Sequence, residues 1–576
     1  MIILGLNVFH ADTSACLIVD GKLVSAVEEE RFTRIKHFTG FPKNSIDYCL
    51  KESNIALNDI DYICLNYNKN YNFKEKFFFS LSNFYASNFI RKAFFSLRTK
   101  SLNKLFLKHY NIDISKKIKY IPHHLAHICS TFYFNKIKHS IGFSFDGSGD
   151  FSTTEIFNLN NEIKLLEKIN YPHSLGIFYQ AFTQFLGFKN YGDEYKVMGL
   201  ASYGSPIYKE RIKKLMKSND NFFELDLKYF DHHKTVIDYD FESGHPFFED
   251  LYSNKLEKLF GKARGVNEPI EQIHKDIAAS LQIGFEEIVI KKLKSIRKKY
   301  NMENLCLAGG CAFNSSLNGK IIKETDFKKI YFSPNVGDAG GALGAALYVA
   351  KKYNEKLSYN SSPYLGTSYD NKYVEEKIIN KIKNMKHIKY KYYKNFNELN
   401  HVVVKKLVND CVVGWFQDKM EWGPRALGNR SILGDPRNAN MREIINIKIK
   451  RREEFRPFAP SVIKEEATKY FEIDKDQEAP YMCAVYKARD KIKNLIPAVV
   501  HIDGTARVQT VDKKFNEKYY SLIETFGKIT GIPIILNTSL NVNEPICENP
   551  ENALEIFSKT SMDMIVIQNW VLEKNV

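Results

Sequence analysis

Short apolar runs separated by small polar turns open the chain. Ile2 to Asn7, Ala15-Cys-Leu-Ile-Val19 and Lys22 to Val27 are strand-like, and Asp20-Gly21 between the last two is a hairpin signal. The same pattern begins again at Ser140 to Asp150 and Thr153 to Asn158, with small polar residues in the turn. Leu305-Cys-Leu-Ala308 then reads as a buried strand running through Gly309-Gly310 into a helix, and Val336-Gly-Asp338 opens an alanine-rich helix. The run after Pro122 is predicted helical, which puts His123 and His127 on one face and turns His124 elsewhere. A polar segment at Leu357 to Pro363 reads as an interdomain connection, dividing 1–355 from 356–576. The stretch Phe73 to Tyr110, rich in Phe, Lys and Arg, could dock an acceptor or touch a membrane surface, and is read instead as a helical insertion with aromatics packed inward.

Length and composition narrow the class. A chain of 576 residues, 44% hydrophobic and 26% charged, forms at least two domains with ordinary cores and is not disordered. No apolar run reaches membrane-span length, and Met1-Ile-Ile-Leu-Gly-Leu-Asn7 lacks a basic leader and cleavage pattern, so a cytoplasmic location is expected. Nine cysteines without a Cys-x-x-Cys pair predict reduced, mostly buried thiols. The net charge of +16 suits nucleic acid, a membrane surface or small anions such as ATP. It does not choose among them, and much of it is a solvated lysine surface.

Candidate chemistry falls in two places. In the first part, His123 and His127 could converge on one cation, with Asp146 as a third ligand and Asp338 as a fourth. The plainer roles are a polar helix start for the histidines and an N-cap for Asp338. In the second part, Glu421-Trp-Gly-Pro-Arg-Ala-Leu-Gly-Asn-Arg430 carries two arginines, followed by Lys448, Lys450, Arg451, Arg452 and Arg456. Guanidinium groups bind phosphate and carboxylate oxygens in pairs, so such a pocket suits a small phosphorylated substrate. Arg507, Asn537 and Ser539 could hydrogen-bond a carbonyl or amide. No nucleic-acid reading motif accompanies the basic residues, and no nucleic-acid partner is expected.

The two strand-turn-strand units resemble the phosphate-binding hairpins of the actin and sugar-kinase superfamily. Glu28-Glu-Glu-Arg-Phe-Thr-Arg-Ile-Lys-His37, His123-His-Leu-Ala-His127, Asp193-Glu-Tyr-Lys-Val-Met-Gly-Leu-Ala201, Gly309-Gly-Cys-Ala-Phe-Asn314, Gly423-Pro-Arg-Ala-Leu-Gly428, Phe455-Arg-Pro-Phe-Ala-Pro460 and Leu536-Asn-Thr-Ser-Leu-Asn541 recur in order. On these strings the chain resembles the O-carbamoyltransferases of the nodulation-factor, cephamycin and tobramycin type.

The resemblance implies an α/β fold: an actin-like N-terminal domain of two ribonuclease-H-like halves, and an α+β YrdC-like C-terminal domain. It implies that carbamoyl phosphate and ATP give carbamoyl adenylate, which carbamoylates a hydroxyl of a sugar or nucleotide sugar. His123, His127, Asp146 and Asp338 would then hold a divalent metal, Fe(II) by the likeness. Gly147, Ser148, Gly149, Asp150, Lys196, Gly309, Gly310, Asn314 and Gly337 would line the ATP or adenylate site. Arg425, Arg456, Arg507, Asn537 and Ser539 would hold carbamoyl phosphate, with Lys450 beside them.

His10, whose side chain titrates near about 6.5, is the expected base, with Asp12 and Lys36 as further catalytic candidates. The family commonly reads His-Asp-Ser-Ala where this chain reads His10-Ala-Asp-Thr-Ser-Ala15, so His10 and Asp12 both stay open as the base. Phe313 replaces the usual Leu, apolar for apolar. A homodimer is left open. The alternatives are a tRNA threonylcarbamoyl transferase, disfavoured by the second pocket and the Glu28-to-Arg34 string, and a sugar kinase, which would ignore carbamoyl phosphate.

Overall fold

The computed structural model describes residues 1–82, 102–219, 222–234, 238–239, 244–247, 249–358, 361–474 and 476–574. The fold is mixed α/β, and the chain divides into two compact units, Met1–Ser361 and Ser362–Val576. The segment read as a connection joins the first unit at its start: Ser358 bridges Lys22, and its amide donates to Gly21 O at 2.9 Å.

The first unit repeats one sheet topology. β1 (Ile2–Asn7), β2 (Ser14–Val19) and β3 (Lys22–Glu28) form an antiparallel meander; β4 (Tyr62–Leu65) joins β1 in parallel and β5 (Ile118–Tyr120) joins β4 in parallel. The second sheet has the same plan. β6 (Ser140–Gly149), β7 (Ser152–Leu159) and β8 (Ile163–Asn170) form the meander, and β9 (Asn304–Ala308) and β10 (Lys329–Tyr331) extend it in parallel from β6. β1 and β6 are central in their sheets and buried on both faces; β1 reads as a continuous apolar run, whereas β6 alternates Ser140, Gly142 and Ser144 with Ile141, Phe143 and Phe145. Leu4, Leu6, Leu17, Ile46, Ile63, Leu65 and Phe106 are buried in one cluster on the first sheet.

Three helices position the site: α1 (His123–Phe132), α2 (Ser315–Glu324) and α3 (Asp338–Lys352). α3 is built from small residues because it is pressed from two sides. A side chain at Gly344 would collide with Ala126 O of α1, and one at Gly5 of β1 would collide with Ala342 O of α3. The close approach brings the first residue of α3 against the first turn of α1.

The Phe73–Tyr110 stretch departs in part from expectation. Residues 83–101 lie outside the described residues, and the flanks are helices Phe73–Ser82 and Leu102–Tyr110. Phe106 is buried and Phe79 packs edge-on to Phe151 and Tyr171, but Phe73, Phe77 and Phe78 are exposed, Phe73 at the helix start and Phe77 across the helix from Phe79. All nine cysteines are free, seven of them buried. Among the described residues no helix is long and apolar enough to cross a membrane.

The second unit is built on one eight-stranded mixed sheet. Its strands are β11 (Ile388–Tyr392), β12 (Val413–Phe416), β13 (Arg430–Gly434), β14 (Ala459–Ile463), β15 (Gln509–Val511), β16 (Ile534–Ser539), β17 (Met564–Ile567) and β18 (Trp570–Lys574). The order is β11-β18-β17-β12-β13-β16-β14-β15, parallel at β12–β17 and β14–β15 and antiparallel elsewhere. Helices α4 (Phe396–Val408) and α5 (Glu517–Thr530) share a core with this sheet through Leu399, Val403, Leu522 and Phe526 against Trp415, Leu433 and Val566. Each such side chain, fully buried, contributes about 1.5–3 kcal/mol.

Candidate functional site

In the first unit the start of α1, the end of β6 and the start of α3 bring four polar side chains together. One ligand atom from each of His123, His127, Asp146 and Asp338 lies within 4.8 Å of the others. His127 Nε2 is 2.9 Å from His123 Nε2, 3.0 Å from Asp146 Oδ2 and 3.4 Å from Asp338 Oδ1. His123 Nε2 is 3.5 Å from Asp338 Oδ1. The helical spacing does this: His123 and His127 share a face, while His124 turns away and pairs through Nδ1 with Ser144 Oγ at 2.7 Å.

Local backbone features aim the carboxylates. Pairing of β6 with β7 breaks between Phe145 and Gly149, so Asp146, Gly147 and Ser148 bulge from the ladder. Gly147 N donates to Asp146 Oδ1 at 2.6 Å and Gly310 N to Asp146 Oδ2 at 3.1 Å. Asp338 is the first residue of α3, and no side-chain cap is made there, so its carboxylate is spent on the cluster and not on the helix end. Gly149 is required by proximity, since a Cβ would collide with the His123 ring.

The charges are mutually dependent. Burial favours neutral His127, yet Asp146 and Asp338 outweigh it and carry its pKa up to about 9. Burial likewise opposes ionised Asp146, but the two imidazoles hold it well below the usual carboxylate range. Burial and the neighbouring histidines push His124 down to about 3. Two Nε2 atoms at 2.9 Å leave room for one proton between them, so four lone-pair atoms converge where few hydrogens can satisfy them.

The turn between β1 and β2 carries the other catalytic candidates. His10 Nδ1 lies 2.9 Å from Asp338 Oδ2, at the edge of the cluster. Asp12 does not join it; its Oδ1 lies 2.7 Å from His37 Nδ1. Lys36, next to His37, is exposed.

The residues expected around an adenylate divide by role. Gly309, at φ +92°, approaches so close that a Cβ would collide with Phe145 O, and Gly337 precedes α3 in extended backbone. Gly147 O accepts from Ser174 Oγ at 2.7 Å. Ser148 is half-buried in the bulge. Lys196 Nζ pairs with Asp193 Oδ1 at 3.0 Å. Asp150 is engaged otherwise: its Oδ2 accepts from His123 N at 2.9 Å and Asn68 N at 2.8 Å, closing the start of α1. Asn314 caps α2 by accepting from Leu317 N at 2.9 Å, and pairs with Gln282. Both are held by the fold, because each faces amides that would otherwise be left without acceptors.

In the second unit the basic residues also separate. Arg507 lies among Arg425, Arg452 and Arg456, and burial together with those charges holds its guanidinium well below the usual range. Arg507 Nε is buried and, among the described residues, has no hydrogen-bond partner. Lys450 points inward: Nζ donates to Ser539 O at 2.6 Å, Asn541 O at 2.8 Å and Asn541 Oδ1 at 2.7 Å. Ser539 Oγ donates to Asn541 Oδ1 at 2.7 Å. Asn537 Nδ2 donates to Ala426 O at 3.1 Å and Gln509 Oε1 at 3.0 Å. Arg430 is buried over Phe416 and donates to Gln417 O at 2.6 Å. Arg452, read from the sequence as one of several basic residues suited to a phosphorylated substrate, lies by Arg507. His37 has no role from the sequence, and no local spacing signals it, although it ends a string that carried the family likeness.

The chain matches the profile of the carbamoyltransferase N-terminus over residues 2–347 and that of the carbamoyltransferase C-terminus over residues 404–574. It is 37% identical to an uncharacterized protein of Synechocystis sp. over 99% of this chain and 96% of that one. It is 34% identical to nodulation protein NolNO of Sinorhizobium fredii over 99% of this chain and 80% of that one. It is 32% identical to the 3'-hydroxymethylcephem-O-carbamoyltransferase of Amycolatopsis lactamdurans over 46% of this chain and 48% of that one. Among solved structures HypF of T. kodakarensis aligns over 62% of this chain and 48% of that one, at 14% identity and a TM-score of 0.31, a likeness too loose to carry an argument. The chain belongs to the carbamoyltransferase family. It is an enzyme that transfers a carbamoyl group.

Proposed function

We propose that the protein is an ATP-dependent O-carbamoyltransferase that makes carbamoyl adenylate from carbamoyl phosphate and ATP and passes the carbamoyl group to a hydroxyl of a sugar or sugar-containing metabolite. The observation that carries the donor is the gathering of Arg425, Arg452 and Arg456 around Arg507, an arrangement that a phosphate dianion stabilises and few other small ligands would. Asn537 is tied to Ala426, next to Arg425, and to Gln509, two residues after Arg507, while Lys450 spends its ammonium on Ser539 and Asn541. The acceptor hydroxyl is proposed from the family's relatives, one of which is named an O-carbamoyltransferase.

The repeated 3-2-1-4-5 sheet order of the first unit supports the actin-like reading, in which the turns after β1 and β6 face a nucleotide. The mixed sheet with helices packed on it is consistent with a YrdC-like second unit. His123, His127, Asp146 and Asp338 fit a divalent cation, since two imidazole nitrogens and two carboxylate oxygens meet with too few hydrogens to satisfy one another. By the family likeness this cation is Fe(II), and when bound it would offset charge on the phosphate of the adenylate. Asp146 is oriented by the amides of Gly147 and Gly310, and His10, at Asp338, holds that carboxylate from outside the ligand set.

The test follows pyrophosphate and ADP separately after incubation with ATP, carbamoyl phosphate and Fe(II). Pyrophosphate that appears only with carbamoyl phosphate is the expected result. ADP formed without any need for carbamoyl phosphate would make the protein kinase-like and overturn the reading.

A further inference from the structure

We propose that Asp12 and His37 form a proton-accepting pair at the acceptor side of the first unit's site, with His37 Nε2 taking the proton of the attacking hydroxyl. The inference rests on the reading of hydroxyl carbamoylation from an adenylate. The acceptor oxygen bonds to the carbamoyl carbon, and the bond from that carbon to the adenylate phosphate oxygen breaks. AMP leaves with the electron pair, the hydroxyl proton passes to Nε2 and then to solvent, and Asp12 keeps its hydrogen bond to Nδ1 throughout.

Geometry assigns the roles. Asp12 Oδ1 at 2.7 Å from Nδ1 fixes the imidazole so that Nδ1 is the donor and Nε2 the acceptor. Nε2 has no hydrogen-bond partner among the described residues, and the side chain keeps 30% exposure, so a substrate can reach it. Gly192, at φ +83°, lies against the ring edge; any side chain there would collide with Nε2 and close it off. Tyr191 packs edge-on at 5.1 Å.

The pair is fixed to the same turn that carries His10 to the cluster. The turn carrying His10 and Asp12 is stitched to the loop after His37: Phe9 N donates to Gly40 O at 3.0 Å, Thr13 N to Phe38 O at 3.0 Å and Gly40 N to Thr13 Oγ1 at 3.1 Å. Asn7 Nδ2 ties the turn from beneath through Ala11 O at 2.8 Å and Asp12 O at 2.9 Å. One end of this turn therefore sets His10 on Asp338 and the other sets Asp12 on His37. Asp12 and His37 both adopt left-handed backbone, at φ +57° and +55°, which costs each about 1–2 kcal/mol and persists because the surroundings fix it.

A cation site made of Asp12, Glu30 and His37 is the competing use of these groups. It is disfavoured because both Glu30 oxygens are engaged, Oε1 by Arg31 Nη1 at 2.6 Å and Oε2 by His37 N at 2.7 Å. The groups facing His37 are Asp12, Glu30, Lys36 and, from the turn after Gly192, Glu194. Burial favours the neutral ring, but Asp12 overrides it and carries His37 up to about 9. A base works only when deprotonated, so transfer should rise with pH up to that value, and removing Asp12's charge should bring the limb down.

The test uses the full chain with ATP, carbamoyl phosphate and Fe(II), glycerol as the hydroxyl probe, and buffers from about pH 6 to about 10. Two steps are read: the pyrophosphate burst, and carbamoylglycerol by mass spectrometry together with AMP release to water. In His37→Gln the burst should persist while transfer falls by about 100- to 10,000-fold, the span of general acid–base contributions. In Asp12→Asn the limb should move toward about 6.5, and in His10→Gln it should stay where it is while the rate falls. Circular dichroism of each variant separates misfolding from loss of the base; if His37→Gln is unfolded, the limb shift in Asp12→Asn decides. Transfer that is unaltered in His37→Gln, a limb that vanishes in His10→Gln instead, or a wild-type enzyme that makes pyrophosphate but carbamoylates neither glycerol nor water would each overturn the pair. Pyrophosphate that never depends on carbamoyl phosphate would instead sink the adenylate reading, a separate failure.

Discussion

The two polar clusters of this chain are built on opposite electrostatic plans. In the first unit, imidazoles and carboxylates face one another, and three of the ionisations prop one another: His127 is carried up by Asp146 and Asp338, which are held down in turn. In the second unit, four arginines of one sign gather, and Arg507 is pushed down by burial and by Arg425, Arg452 and Arg456. The first plan offers converging lone pairs to a cation. The second gathers cations of one sign, offset in part by Glu453 at Arg456, and suits an anion. On the proposed reaction, in which an anionic donor is gathered and an anionic leaving group expelled, both plans have a use.

The largest expected break is at His127. His127→Ala removes one nitrogen from the centre of the first cluster, and transfer and metal retention should both fall by more than about 100-fold, since loss of an outer-shell partner alone costs 10–100-fold. Metal content by mass spectrometry and carbamoyl product measured in parallel check this; full activity would take His127 out of the site. Next is Arg507→Lys, which keeps the charge but loses the planar fork. It should weaken carbamoyl phosphate binding by about 1.5–3 kcal/mol, read by calorimetry, and should shrink the rise in Tm that phosphate gives the wild type. Unchanged affinity would mean that the arginines gather for another reason.

Much of this contrast was legible in the sequence where signals are local. The apolar runs and Asp20-Gly21 gave the first meander, and Pro122 with His123 and His127 gave a helix with two histidines on one face, because helix and strand periodicities act over a few residues. What depends on docking was not legible. His37 meets Asp12 across 25 residues only because the loop after α-helical Glu30–Thr33 lies on the first turn, and nothing in either segment announces it. Asp150 reads as a phosphate-loop residue but closes a helix that precedes it in the chain. Lys450 reads as a ligand cation but is buried beneath Ser539 and Asn541, since a long side chain can turn inward when carbonyls await it. Arg452, by contrast, turns toward Arg507 from the same short segment.

A finer probe of the like-charge plan is His501, which shares the field of the arginine cluster. Burial, aided by Arg507 and Arg442 and opposed by Asp503, lowers its pKa to about 4. Below its ordinary value of about 6.5 the unfolded chain takes up a proton that the folded chain refuses, so the stabilisation is whole above about 6.5 and is lost as pH falls toward 4. At about 1.4 kcal/mol per pKa unit this is at most about 3 kcal/mol. His501→Gln should therefore flatten the decline in urea-melt stability over that window, and added phosphate should do so in part by countering the arginines. A decline as steep in the variant as in the wild type would place the acid sensitivity elsewhere.

The smallest expected effect tests where the first cluster's pocket ends. Asn314 belongs to the string that suggested an adenylate contact, yet its Oδ1 accepts from Leu317 N and from Gln282 Nε2, and its Nδ2 donates to Gln282 Oε1. Asn314→Ala should cost about 1 kcal/mol of stability, the usual value of a lost N-cap, and Asn314→Ser should recover most of it. Because the side chain is already committed to the helix, the KM for ATP should change little in either variant once folded protein is counted. If Asn314→Ser restored stability but left KM for ATP raised several-fold, the asparagine would be reaching the nucleotide as well. The boundary between the cation cluster and the nucleotide pocket would then have to be drawn through α2 rather than in front of it.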